Sequence, residues 1–167
     1  MLYQIGVLEA FARSAGTRVS YVKPHGALYN AITTNHCLAQ AVIAAVTAFD
    51  PSLPLLTQPS GAATNEAASA NAPCRHEGFA DRAYLPTGQL VPRSRAGAVL
   101  TEPEPVSQRV LDMVQHHQVT TIDGNTISIK VDSICVHGDT PGAVLLARAV
   151  RDSLADTGAH IRPFSAA

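Results

Sequence analysis

The sequence predicts an α/β domain built on parallel strands. Apolar residues recur at helical spacing in four long segments, and short apolar or β-branched runs fall between them. Ionisable side chains are nearly absent from those runs but gather directly after three of them. Folds with parallel strands bind ligands at the strands' carboxyl ends, so this placement predicts a site as well as a topology. A length of 167 residues suits one domain with a sizeable core.

Each element has its own signal. Leu2, Ile5, Leu8 and Ala12 share one face, predicting a helix over 2–15 that Gly16 stops. Residues 18–22 read as a short strand ending at Val22. An Ala- and Val-rich helix follows over 38–49. Pro51 and Pro54 bracket a turn before a buried strand over 53–57. Residues 62–72 read as a weak, Ala-rich helix or a loop. An apolar element over 77–80 runs into Asp81-Arg82-Ala83-Tyr84, a turn at Thr87-Gly88, and a short returning ribbon over 89–91. Val106, Val110, Met113 and Val114 line one face of a helix over 106–116. Asp123-Gly124-Asn125, between β-branched runs over 119–122 and 126–129, signals a hairpin. An apolar strand over 131–136 ends at His137. The last long helix spans 141–154, with Asp139 or Thr140 placed to cap it.

Composition argues against several functions. Net charge is −1, charged residues make up 15%, and no basic patch stands out, so nucleic acid is not an expected partner. Aromatics are scarce and Trp is absent, which argues against base stacking. No apolar run approaches bilayer length. The N-terminal helix carries Glu9 and Arg13, unlike a signal peptide. A soluble, cytoplasmic protein with no membrane partner is expected. Cys37, Cys74 and Cys135 are isolated and odd in number, which argues against a zinc site or a disulfide framework. They read as small buried apolar residues.

The strand ends carry the chemistry. Lys23-Pro24-His25-Gly26 follow the first strand, and Asp81-Arg82, with Tyr84 nearby, follow the strand near Phe79. His137-Gly138-Asp139-Thr140 follow Val136. Together they supply general acid–base groups and a clamp for carboxylate or phosphate. Gly26 and Gly138 would let backbone approach a ligand. The N–H groups of 140–142, opening a helix, suit an anion or an oxyanion. Gln58-Pro59-Ser60-Gly61, after 53–57, is polar but uncharged.

Each residue also has a plain structural reading. His25 suits a loop histidine bonded to backbone, Lys23 a snorkelling side chain, and Asp81-Arg82 a local ion pair. His137 suits a strand end and Asp139 a helix cap. His116-His117 suit a helix C-terminus, and His36, His76 and His160 show no partner pattern. No HExxH or His-x-His pair is present, so spacing alone makes no metal site.

Three blocks then stand together: VKPHGALYN over 22–30, EGFADRAYLPTGQLVPRSRAGAV over 77–99 and ICVHGDTPGAV over 134–144. In order and spacing they closely resemble blocks of the LamB/YcsF family, known as the A subunit of the bacterial-type ATP-dependent 5-oxoprolinase. The resemblance spans essentially the whole chain. It implies an irregular parallel β/α barrel of the glycoside hydrolase/deacetylase type. It also implies opening of the lactam of 5-oxo-L-proline to L-glutamate, coupled to ATP hydrolysis and performed with B and C subunits. By matching position it implies catalytic Lys23, His25, Asp81, Arg82, His137 and Asp139. It implies substrate-binding Tyr29, Asn30, Glu77, Tyr84, Arg93 and Thr140, and leaves the metal open. Arg82 or Lys23 would hold a carboxylate or phosphate, His25 or His137 would activate water, and Asp81 or Asp139 would orient the imidazole.

The family resembled carries a further N-terminal segment with Asp- and His-containing motifs, and Met1 falls in what resembles the middle of its sequence. The resemblance therefore implies the C-terminal part of a partial barrel, with the N-terminal strands missing, little activity for the isolated chain, and an exposed apolar edge. About five core strands are too few to close a barrel. Two rival readings are a non-catalytic truncated remnant or interaction module, and a metal-dependent deacetylase-like hydrolase, the latter from fold kinship alone.

Overall fold

The computed structural model describes residues 1–165. They form two compact units, Met1–His76 with Ser165, and Glu77–Phe164. The expected α/β class with parallel strands is met in both.

The first unit holds α1 (Leu2–Ser14), α2 (Ala27–Ala31), α3 (His36–Phe49), β1 (Leu55–Thr57), α4 (Ala62–Ser69) and the first half of β2 (Cys74–Phe79). β1 runs parallel to β2, with Leu55, Leu56 and Thr57 opposite Cys74, Arg75 and His76. The strand expected over 18–22 is reduced to one parallel rung between Val22 and Leu55. Two prolines explain the loss. Val22 N–H donates to Pro54 C=O (3.0 Å) and Leu56 N–H donates to Val22 C=O (2.9 Å). The next rung in each direction needs an N–H from Pro24 or Pro54, and proline has none.

Asn35 caps α3, its Oδ1 accepting from Leu38 N–H at 3.0 Å. Ala39, Val42, Ile43 and Val46 of α3 pack with Ile32, Leu55, Ala63 and Ala67 in the unit's core. α1 contributes only Ile5 as a fully buried residue, and Leu8, expected on the same buried face, is 62% exposed beside exposed Tyr3 and Phe11. α2 was not expected. It is a single short helix begun by Gly26 in a left-handed conformation (φ 61°).

In the second unit, Glu77, Gly78 and Phe79 of β2 run parallel to Ser133, Ile134 and Cys135 of β5 (Ser133–Cys135). Residues 81–100 fold into an irregular ribbon, with Ala83 N–H donating to Ala98 C=O and Val91 N–H to Ala83 C=O. α5 (Pro103–Leu111) runs into a π-helical turn, Asp112–His116, closed by left-handed His117 (φ 53°). β3 (Gln118–Thr120) and β4 (Thr126–Ser128) make the antiparallel hairpin that Asp123-Gly124-Asn125 signals. α6 (Ala143–Asp156) packs Leu146, Val150 and Leu154 against Val106 and Val110 of α5.

The cysteines depart from the expected burial: Cys37 is exposed, and Cys74 and Cys135 are half-buried. Among the described residues no helix is long and apolar enough to cross a membrane.

Gly61 fixes the turn between β1 and α4. Its φ is +113°, and a Cβ there would lie 2.4 Å from Thr33 C=O. That carbonyl also accepts from Ala62 N–H at 2.8 Å. Gly61→Ala is expected to lower the free energy of unfolding by about 2 kcal/mol or more, from strain and overpacking together. Urea denaturation reads this directly, and an unchanged midpoint would contradict the close approach.

Candidate active site

The register of β2 and β5 builds the centre of the site. Phe79 lies opposite Cys135, so the residues two further along, Asp81 and His137, emerge side by side. Asp81 has no exposed surface. Its Oδ1 pairs with His137 Nδ1 at 2.9 Å, and its Oδ2 accepts from Thr140 Oγ1–H at 2.6 Å and from His137 N–H at 3.3 Å. An ionised carboxylate only accepts, so the pairing assigns the proton to Nδ1 and leaves Nε2 as the acceptor. The imidazole stacks on Phe79 with centroids 5.4 Å apart and planes 19° apart. Its side chain is 24% exposed, so the ring bridges a buried carboxylate and the surface.

Arg93 grips Asp139 on the loop after β5, through Nη1 at 2.7 Å and Nη2 at 3.5 Å. The hydrogen bond from Arg93 holds the Asp139 carboxyl below its ordinary range, and the same bond raises the Arg93 guanidinium. Both side chains are open to solvent, which screens the pair.

Arg82 points elsewhere. It is buried, and its Nε and Nη2 donate to the carbonyls of Ala98 (3.3 Å) and Val91 (2.6 Å). Burial lowers its pKa foremost. Arg82 thus holds the ribbon together from inside. Tyr84 is fully buried, and its hydroxyl oxygen accepts from Phe79 N–H at 2.8 Å. Arg109 lies over its ring at 5.3 Å and donates to the carbonyls of Thr120 and Arg82. Glu77 is buried on β2.

Phe79 and Arg109 are structural partners that the sequence reading missed. The signal for Phe79 lay in the strand register, which puts it one step below Asp81. Arg109 sits on an amphipathic helix where nothing in the spacing marks it.

The first unit carries the remaining candidates. Lys23 is half-buried, with Nζ 5.7 Å from the Tyr29 ring centroid, and Tyr29 is buried. His25 and Asn30 are exposed at the start and middle of the α2 turn. His36, for which spacing gave no partner, pairs through Nδ1 with Glu66 at 2.7 Å. Among the described residues no group of three or more His, Cys, Asp and Glu side chains could hold a metal ion.

The second unit therefore defines an α/β protein with a carboxylate-oriented imidazole at the carboxyl ends of parallel strands. The LamB/YcsF family model matches residues 1–167, and the chain belongs to that family. It is 50% identical over 164 residues to the 5-oxoprolinase A subunit of Mycobacterium avium (strain 104), covering 98% of this chain and 65% of that protein. It is 50% identical over 165 residues to that of Paracidovorax citrulli (strain AAC00-1), covering 99% and 66%. The crystal structure of the lactam utilization protein from Thermus thermophilus matches with a TM-score of 0.91 and 42% identity, over 98% of this chain and 65% of that one. The chain thus spans about 65% of the length of the relatives it matches.

Burial pushes the Tyr84 phenol up to about 12. A raised folded-state value gives a contribution that is complete below the ordinary phenol pKa of 10.0 and is lost as pH rises through about 12. In that window stability should fall by at most about 1.4 kcal/mol per pH unit from this group. Tyr84→Phe should flatten that fall, while costing about 1–3 kcal/mol at pH near 9 because Phe79 N–H loses its acceptor. Urea unfolding of both proteins across this range tests it. Equal alkaline slopes would exclude the phenol as the cause.

Proposed function

We propose that this chain forms part of the A subunit of an ATP-dependent 5-oxoprolinase, a hydrolase that opens the lactam of 5-oxo-L-proline to L-glutamate with B and C subunits. The observation that carries the reading is His137, held by buried Asp81 with Nε2 left to accept a proton. The names of the relatives supply the substrate. The proposed fold is the C-terminal part of a single irregular β/α barrel domain of the glycoside hydrolase/deacetylase type, working in the cytoplasm.

A lactam carbonyl is a poor electrophile because the amide is resonance-stabilised. ATP, as a substrate of the assembled complex, would donate its γ-phosphoryl group to the lactam oxygen. Water then adds to the activated carbon while its proton passes to His137 Nε2. The ring C–N bond breaks as that proton returns to nitrogen and the remaining hydroxyl proton is lost to solvent, leaving an acyl phosphate. A second water hydrolyses it to glutamate and phosphate. Asp81 keeps the imidazole in the accepting tautomer and stabilises its cation, and Thr140 fixes Asp81. Arg93, steadied by Asp139, is the proposed anion-binding group of the second unit. Lys23 is the proposed cation of the first unit, and His25, Tyr29 and Asn30 are proposed to line its ligand. Arg82 and Tyr84 are proposed to support the second unit's site residues from within that unit, with Glu77 buried on β2 of the same unit.

The test is ATP-dependent glutamate release from 5-oxoproline by the full-length protein carrying this sequence, assembled with its B and C partners. Release that requires both ATP and 5-oxoproline is expected, and a folded complex that makes no glutamate overturns the reading. His137→Gln should lower kcat by about 10²–10⁴-fold. Arg93→Ala should raise KM roughly tenfold with kcat little changed, the pattern of a lost binding contact.

A further inference from the structure

We infer that Gln58 forms the polar wall of a ligand site in the first unit, and that its carboxamide reads a cyclic amide. The inference rests on the proposed function for its ligand class. Thr57 is 1% exposed and Gln58 is 2% exposed. Among the described residues, no protein donor reaches Thr57 Oγ1 or Gln58 Oε1. Buried polar atoms are nearly always paired within a fold, so the unpaired Gln58 carboxamide oxygen at a strand end marks a place prepared for another molecule.

Position supports this. Val22 and Leu55 form a parallel rung, so the segments that follow them leave at the same end. Lys23 follows on one, and Thr57 and Gln58 on the other. Lys23 brings a cation, lying over the face of Tyr29. The backbone beneath is fixed. Gln58 C=O accepts from Thr64 Oγ1–H at 2.7 Å, and Thr33 and Ile32 carbonyls accept from Ala62 and Ala63 N–H at 2.8 and 2.9 Å.

The chemistry selects the ligand. A primary carboxamide offers a C=O and a syn N–H on one edge, so it pairs in a two-bond ring with an amide whose own N–H and C=O are cis. The amide of a five-membered lactam is locked cis. An open-chain secondary amide is almost always trans and cannot make both bonds. Lys23 suits the carboxylate that 5-oxoproline also carries. Gln58 would then distinguish the lactam from its ring-opened product, which has no ring amide.

The experiment compares the full wild-type chain with Gln58→Met, which keeps the length and removes the polar atoms. Unfolding is followed without ligand, and binding of 5-oxo-L-proline and of N-acetyl-L-alanine, an open-chain amide acid, is measured by calorimetry. We expect Gln58→Met to unfold at a higher midpoint than wild type, because an unpaired buried group is gone. We expect it to bind 5-oxoproline at least tenfold more weakly, and wild type to prefer 5-oxoproline over N-acetylalanine by a similar factor. Unchanged affinity in Gln58→Met, or no 5-oxoproline binding by wild type, overturns the inference. Gln58-dependent binding without turnover in the assembled complex would sink the proposed reaction and leave this site standing. Turnover with an unchanged KM in Gln58→Met would do the reverse.

Discussion

A carboxylate with no exposed surface must find hydrogen-bond donors, because taking the charge out of water costs several kcal/mol. Asp81 is that carboxylate, and its donors all come from one stretch of chain, the backbone and ring of His137 and the hydroxyl of Thr140. Satisfying it ties the end of β2 to the loop between β5 and α6. The same residue anchors the ribbon, since Asp81 C=O accepts from Leu100 N–H at 2.9 Å. Losing the charge at this one position would release the loop after β5 while leaving the backbone bond to the ribbon in place.

Long periodic segments were legible because many residues vote for each. α3, α5 and α6 lie close to where apolar spacing puts them, and the hairpin sits where Asp123-Gly124-Asn125 signals it. Short strands depend on partners, and there the sequence misled. Residues 18–22 have strand composition, but Pro24 and Pro54 remove the N–H groups that would extend the ladder beyond Val22. β2 begins three residues before the apolar signal, at Cys74, because Arg75 and its neighbours sit on a partly exposed half of the strand. Helix periodicity also does not say what covers a face, as exposed Leu8 on α1 illustrates.

The site divides along the same line. Strand-end reasoning picks out Asp81, His137 and Thr140, and the β2–β5 register makes them meet. It treated Asp81 and Arg82 alike, although the turn after β2 sends the two side chains to different partners. One side chain therefore turns to His137 and the other to the carbonyls of Val91 and Ala98. The Arg93–Asp139 pair joins residues 46 apart in sequence, a separation that carries no periodic signal.

Asp81 and Gln58 show two opposite treatments of a buried polar group. The carboxylate is saturated within its own unit, which suits a residue whose task is to hold another in place. Among the described residues, no protein donor reaches the buried Gln58 carboxamide oxygen or the buried Thr57 hydroxyl. An apolar side chain of the same size would be the more stable choice at Gln58. Sequences usually break such local rules at functional positions, where stability is given up for recognition. Orientation and recognition thus impose different demands: a positioning group must be satisfied before the ligand arrives, and a reading group only after.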